Sequence, residues 1–192
     1  MNHIQKIFSN TLFASHSLLP KKDLKLMVDE CKKIQQHAKQ GGDNWNCNTY
    51  NTLGTYELKD NIKFKKLIDV VTEKVNIYAK ELQSDYNYEC GNSWFNIYKK
   101  GDYQEYHYHS DSYFSAIFIL KTPNPPPLIV FENPFLDMLP LKNLKKNNEN
   151  NAGTYKVADM NENCLLIFRS YLRHMVQPLQ QDEERISIAF NF

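Results

Sequence analysis

The sequence predicts a single α+β domain over residues 1–192, with an all-β core of jelly-roll type buttressed by two N-terminal amphipathic helices. Two segments of the first half place apolar residues at helical spacing, and the second half breaks into short strand-like segments separated by turn formers. The chain length suits one domain. We therefore expect a support region over 1–90 and a β core over 91–192.

The first helix is predicted by its spacing and by its end signal. Residues 1–20 alternate loosely and suit a strand followed by a connection. From Lys21 to about Gln40, apolar side chains recur at steps of three and four. The pair Gly41-Gly42 is a favoured helix stop.

The second helix follows a polar, Asn-rich stretch over 43–60 that we expect to be loop with a short strand. One apolar stripe runs from Phe64 to Leu82, with Lys and Glu on the other faces. Each helix could bury its stripe wholly on the β core, or one of them could serve a homodimer. The sequence leaves both arrangements open.

Strand-like segments fill the rest of the chain. They are Ser93–Tyr98, Tyr103–His109, Phe114–Leu120, Leu128–Phe131, Thr154–Val157, Cys164–Phe168 and Arg185–Phe192. Helices first and many short strands later favour a β-sandwich or jelly roll. The stretch Pro134–Gly153 is predicted to be a long loop, either a lid or an insertion.

Charge and cysteine usage exclude several classes of protein. Twenty-three Lys and Arg face 22 Asp and Glu, so a dedicated nucleic-acid binder, which is usually basic, is disfavoured. No apolar run reaches the roughly 18 residues of a membrane span, and the N-terminus does not resemble a secretory signal. The cysteines are scattered without a CxxC pair, which indicates reduced thiols and a cytoplasmic protein.

The strongest chemical signal is a group of histidines and one carboxylate. His107, His109 and Asp111 would share one face of an extended segment, and His174 follows 65 residues after His109. A His-x-Asp pair plus a distant His can cover one face of an octahedral metal, the arrangement of non-haem Fe(II) oxygenases. Alone, such a pair more often lies at the surface without a metal.

A second signal lies on the final strand. Arg185, Ser187 and Ala189 would share one face, and an inward Arg is costly unless an anion pairs with it. A guanidinium beside a hydroxyl can hold a carboxylate. The alternative is a surface Arg in a salt bridge with Glu183 or Glu184.

In this order the motifs resemble the Fe(II)- and 2-oxoglutarate-dependent dioxygenase superfamily, and more closely its phage-associated group. The resemblance covers about residues 93–192. It rests on Trp94-Phe95-Asn96-Ile97-Tyr98, the Gly101-Asp102-Tyr103-Gln104 turn, His107-x-His109, the run Phe114–Leu120, Phe168-x-x-x-Leu172-x-His174-x-Val176, and Arg185-Ile186-Ser187-Ile188-Ala189-Phe190-Asn191.

The resemblance implies a double-stranded β-helix, a jelly-roll variant, with a metal at its open mouth. It implies His109, Asp111 and His174 as iron ligands, and Arg185 with Ser187 as the site for the distal carboxylate of 2-oxoglutarate. Tyr98 and Asn96 are further expected co-substrate contacts.

One departure from the superfamily pattern bears on the ligands. Because His107 precedes His109 in a His-x-His pair, the two compete for the first ligand position. We favour His109, since Asp111 then completes the usual motif. If His107 is the first ligand, His109 takes the second position and the site has three histidines.

The resemblance also implies a reaction. Fe(II), 2-oxoglutarate and O₂ would support oxidative decarboxylation to succinate and CO₂ coupled to hydroxylation of a substrate C–H bond. A peptidyl-prolyl group is the substrate expected by family analogy; small molecules stay open, and nucleic acid is disfavoured. The alternatives are a non-catalytic jelly-roll module of a phage and a zinc hydrolase. A phage origin would place the protein in the host cytoplasm.

Overall fold

The structure is a computed structural model that describes residues 10–42, 45–135 and 153–192. Two α-helices, α1 (Lys21–Gln35) and α2 (Ile62–Glu81), and one 3₁₀ turn (Leu58–Asp60) occur in these ranges. None of the described helices is long and apolar enough to cross a membrane. Most of the predicted loop Pro134–Gly153 lies outside the described residues.

The strands form two antiparallel sheets. In chain order they are β1 (Phe13–Ser15), β2 (Tyr50–Asn51), β3 (Asn92–Tyr98), β4 (Gln104–His107), β5 (Phe114–Lys121), β6 (Ile129–Glu132), β7 (Thr154–Val157), β8 (Cys164–Arg169), β9 (His174–Val176) and β10 (Arg185–Asn191). The larger sheet has the order β1-β8-β5-β10-β3-β2, and the smaller has the order β4-β9-β6-β7. Two short strands from the first half, β1 and β2, are the edges of the larger sheet.

The helices cover the outer face of the larger sheet. The stripe of α2 supplies Phe64, Leu67, Val71 and Val75, each 0–1% exposed, to one core shared with the sheet and α1. Helix α2 begins after Asn61, whose side chain accepts a hydrogen bond from the Lys63 amide. These contacts occur within one chain, as expected if the stripes pack on the β core.

Helix α1 ends at Gln35, earlier than the predicted Gln40. The chain must leave the helix because the following residues run beside β2, where the Gly41 amide donates to the Asn51 carbonyl at 2.9 Å. A Cβ on Gly41 would lie 2.0 Å from the Leu53 carbonyl oxygen. The glycine is therefore required by this close approach.

A second core fills the space between the two sheets. Phe131 on β6 contacts Phe168 on β8, with ring centroids 4.9 Å apart, so the sheets face each other. Phe168 in turn lies 4.6 Å from the ring of His174 on β9. The sequence did not predict β9, which is only three residues long. Phe168 therefore lies at the boundary between the apolar core and the buried histidine.

Candidate functional site

Three histidines converge between the sheets. The ligand atoms of His107, His109 and His174 lie within 4.8 Å of one another. His107 and His174 are cross-strand partners on β4 and β9, with ring centroids 4.2 Å apart. His109 follows the end of β4, and its amide donates to the Ser170 carbonyl at 3.0 Å. Backbone pairing therefore fixes the position of all three rings.

A register shift in β4 determines which side chains face inward. Gln104 pairs with Val176 and His107 pairs with His174, so three steps on β4 match two on β9. This extra residue is a β-bulge, and it turns Gln104 and His107 to the same face. Regular strand alternation would place Gln104 and His107 on opposite faces.

Hydrogen bonds orient two of the rings. Nδ1 of His107 lies 2.8 Å from the Glu105 carbonyl oxygen, and Nδ1 of His174 lies 2.9 Å from the Leu172 carbonyl oxygen. Because a carbonyl oxygen only accepts, each Nδ1 carries the hydrogen and each Nε2 keeps a free lone pair. Metal-binding histidines are typically held in this way.

All three rings are neutral near pH 7. Burial lowers the pKa of His109 to about 4, with a smaller contribution from His107. Burial also lowers the pKa of His107 and, to a greater extent, that of His174. Neutral imidazoles with free Nε2 atoms are ligands for a divalent transition metal, so the donor set fits one.

Asp111 lies elsewhere. Its side chain is exposed, and its carboxylate is not among the atoms that meet at the three histidines. Because β4 ends at His107, strand alternation does not carry on to Asp111. The residue lines a groove of about 560 Å³ together with Trp45, Tyr108 and two of the histidines, His107 and His109. Its role as a ligand stays a prediction.

Arg185 is buried without a counter-ion. It is 1% exposed, its Nη1 donates to Ser187 Oγ at 3.2 Å, and its guanidinium carbon lies 4.8 Å from the centre of the Tyr98 ring. The surface salt bridge considered as an alternative does not form, because Glu184 pairs with Lys32. No described carboxylate pairs with Arg185, and burial lowers the pKa of its guanidinium.

A small cavity lies between the three histidines and two residues that contact Arg185, namely Tyr98 and Ser187. It encloses about 30 Å³ and is lined by His107, His109 and His174 together with Tyr98 and Ser187. Four buried polar atoms in this region have no hydrogen-bond partner among the described residues: Trp94 Nε1, Asn96 Oδ1, Gln104 Nε2 and Arg185 Nη2. Such atoms are rare in native interiors and indicate a polar ligand or water.

The predicted site residues thus separate into two groups. Asn96, Tyr98, Ser187, His109 and His174 line the cavity, and Arg185 contacts two of them, Tyr98 and Ser187. Asp111 does not line it.

Sequence reasoning assigned no role to two further lining residues. Trp94 shares the inner face of β3 with Asn96 and Tyr98, so its two-residue spacing from Asn96 was an available signal. Gln104 faces the cavity because of the β-bulge, and no sequence pattern predicts a bulge there.

A family model and solved structures match this chain. The family model, described as "Putative 2OG-Fe(II) oxygenase", matches residues 92–191. A search of the curated proteins found no match.

The structural matches extend over nearly the whole chain. A Pseudomonas putida prolyl-4-hydroxylase aligns with a TM-score of 0.65 and 14% identity over 95% of this chain and 93% of its own. A viral collagen prolyl hydroxylase from Paramecium bursaria Chlorella virus-1 gives 0.57 and 14% over 94% of each chain. HygX from Streptomyces hygroscopicus, solved with nickel, 2-oxoglutarate and hygromycin B, gives 0.61 and 10% over 94% and 82%.

These likenesses confirm the predicted jelly-roll fold with its two helices. The family match spans more than half of the chain and includes all three histidines and Arg185. The chain belongs to the family of oxygenases that use Fe(II), 2-oxoglutarate and O₂.

Proposed function

We propose that this oxygenase is a hydroxylase in which His107, His109 and His174 hold Fe(II) and Arg185 binds 2-oxoglutarate. When bound, the iron and its co-substrate couple decarboxylation of 2-oxoglutarate to oxidation of a substrate C–H bond. The chain's own residues supply position and a largely water-excluding interior.

Three histidines are favoured over the set with Asp111 by their placement. Their ligand atoms already lie within 4.8 Å of one another, and His107 and His174 each present a free Nε2. Asp111 would have to leave an exposed position to join them. Three neutral ligands also leave the charge of the metal to be balanced by the co-substrate, which is a dianion.

The co-substrate's distal carboxylate is assigned to Arg185. The free Nη2 and the Ser187 hydroxyl are the donors that a carboxylate needs, and Tyr98 covers the guanidinium. Asn96 lies opposite Ser187 on β3 and lines the same cavity. The cavity encloses less than 2-oxoglutarate occupies, so we expect side chains to move when the co-substrate enters.

The observation that carries the proposal is the joint presence of both sites in one interior. A buried guanidinium without an anion is costly, and three imidazoles whose ligand atoms meet at one point, one of them fully buried, fit a metal. A purely structural jelly roll gains nothing from either.

The substrate is expected to bind in the groove that His107 and His109 line together with Asp111. The groove is lined by Trp45, Leu53, Tyr108 and Phe192, and Asp111 is its only carboxylate among the described residues. No Lys or Arg lines the described part, which disfavours a phosphate-rich substrate. A peptide is favoured because one related structure is a Trichoplax adhaerens prolyl hydroxylase in complex with a peptide fragment.

The test is the conversion of 2-oxoglutarate to succinate by the purified protein, with Fe(II) and O₂ supplied and each omitted in turn. His174→Ala and Arg185→Met should abolish succinate production. Arg173→Met is the matched control, because Arg173 is adjacent to His174 but its guanidinium is exposed and pairs with Glu132. It should retain activity.

Two outcomes would contradict the proposal. If Arg185→Met still forms succinate, Arg185 does not bind the co-substrate as proposed. A folded, iron-loaded protein that neither binds nor consumes 2-oxoglutarate would favour the non-catalytic module. A cytoplasmic location and a phage origin remain predictions, with which the four free thiols are compatible.

A further inference from the structure

Two buried side chains in the cavity carry N–H groups that the proposed iron and carboxylate sites do not use. Gln104 is 4% exposed and Trp94 is 3% exposed. Gln104 Nε2 and Trp94 Nε1 have no acceptor among the described residues. A buried donor left without a partner lowers stability, so a binding partner is expected.

The orientation of the Gln104 amide is set by Cys47. The Cys47 thiol, buried beside β4, donates to Gln104 Oε1 at 3.7 Å. Because the oxygen is engaged there, the opposite end of the amide, Nε2, points away from Cys47. The β-bulge that places Gln104 and His107 on one face directs this nitrogen toward the cavity.

Trp94 reaches the same cavity from the opposite sheet. It lies on β3, two residues before Asn96, and its ring centroid is 5.8 Å from that of His109. The indole nitrogen can only donate. The two sheets therefore each contribute one donor, and the Arg185 guanidinium adds a third unused donor to this interior.

An interior with three spare donors and one spare acceptor, Asn96 Oδ1, suits a ligand rich in oxygen acceptors. We propose that Gln104 and Trp94 donate hydrogen bonds to oxygens of 2-oxoglutarate, and that Cys47 is a positioning residue for Gln104. The inference rests on the proposed function. It adds two contacts to the co-substrate, from Gln104 and Trp94, to those proposed for Arg185 and Ser187.

The experiment measures the dissociation constant of 2-oxoglutarate for the Fe(II)-loaded protein by anaerobic calorimetry. Gln104→Met keeps the length of the side chain and removes the donor, and Trp94→Phe removes the indole N–H. Each should weaken binding about tenfold. Gln104→Glu has nearly the same shape as glutamine but places a negative charge beside the carboxylates of 2-oxoglutarate. Because like charges repel, it should weaken binding more than Gln104→Met.

Ser93→Ala is the matched control. Ser93 is buried on β3 next to Trp94 but lies on the opposite face of the strand, so binding should equal that of the wild type. Cys47→Ala supplies an independent arm that leaves Gln104 in place. It should weaken binding about threefold, because the amide can then rotate, and a glutamine acting only as a spacer would show no such effect.

The outcomes distinguish a failure of this inference from a failure of the proposed function. If Arg185→Met loses binding while Gln104→Met, Gln104→Glu and Trp94→Phe all bind like wild type, ordered water satisfies these donors and the inference is overturned. The proposed function then stands. If the wild-type protein itself does not bind 2-oxoglutarate, the proposed function fails and the inference fails with it.

Discussion

The two faces of the larger sheet differ in chemistry although the same strands form both. Along β3 and β10 the outward side chains are apolar except for Ser93, and they pack on the two helices: Phe95, Ile97, Ile186, Ile188 and Phe190. The inward side chains alternate with them and include four polar residues: Asn96, Tyr98, Arg185 and Ser187. Both faces are buried, so exposure does not distinguish them.

The difference shows where this fold carries its function. The outer face stabilises the fold by burying apolar area. The inner face holds polar atoms without partners, each of which reduces stability. Four such atoms gather around the cavity, where one ligand could meet them. Substitutions on the two faces should therefore have opposite consequences for stability and for binding.

The largest effect is expected on the outer face. Phe64 on α2 is fully buried, and Phe64→Ala should lower the free energy of unfolding by about 3–5 kcal/mol. Urea unfolding followed by circular dichroism measures this change. Binding of 2-oxoglutarate by the folded fraction should stay unchanged, and a loss of affinity there would show that the two faces are not independent.

Acid should act on the histidines that lie across the cavity from the inner face. The folded-state pKa of His109 is about 4, below its ordinary value of 6.5, so only the unfolded state takes up a proton between these values. The stability of the metal-free protein should therefore fall as the pH drops from about 6.5 to about 4, with His109 contributing roughly 3 kcal/mol to that fall. His109→Asn should make this profile shallower, and His107 and His174 should carry the remaining slope. A wild-type profile that is already flat would contradict the lowered pKa values of the three rings.

Removing the buried charge should raise stability. Arg185→Met replaces an unpaired guanidinium by an apolar chain of similar length, and the free energy of unfolding should rise by about 1–3 kcal/mol. Thermal unfolding without 2-oxoglutarate measures it. Destabilisation on the scale of Phe64→Ala would mean that Arg185 is a structural residue rather than a binding one.

The smallest effect is expected at Asp111. Because its carboxylate lies outside the histidine cluster, Asp111→Asn should leave the affinity for Fe(II) within about threefold of wild type. His107→Ala should lose most of that affinity. Anaerobic calorimetry compares the two, and the reverse ranking would return Asp111 to the ligand set.

Features that depend on residues close together in the sequence could be predicted, and features that depend on tertiary pairing could not. Helical spacing gave the stripe of α2, and strand alternation placed Arg185 and Ser187 on one face, because both are local periodicities. The choice between His107 and Asp111 depends on where β4 ends and on a bulge, which tertiary pairing decides. The inward orientation of Gln104 was not predictable for the same reason.

We propose that the three histidines and Arg185 form one site for iron and 2-oxoglutarate. Anaerobic titration of the protein with Fe(II) and then 2-oxoglutarate reports on this site through the visible charge-transfer absorption of a chelated 2-oxo acid. We expect a band in the wild type that His107→Ala and Arg185→Met abolish and Asp111→Asn retains. A band that disappears in Asp111→Asn and persists in His107→Ala would contradict it.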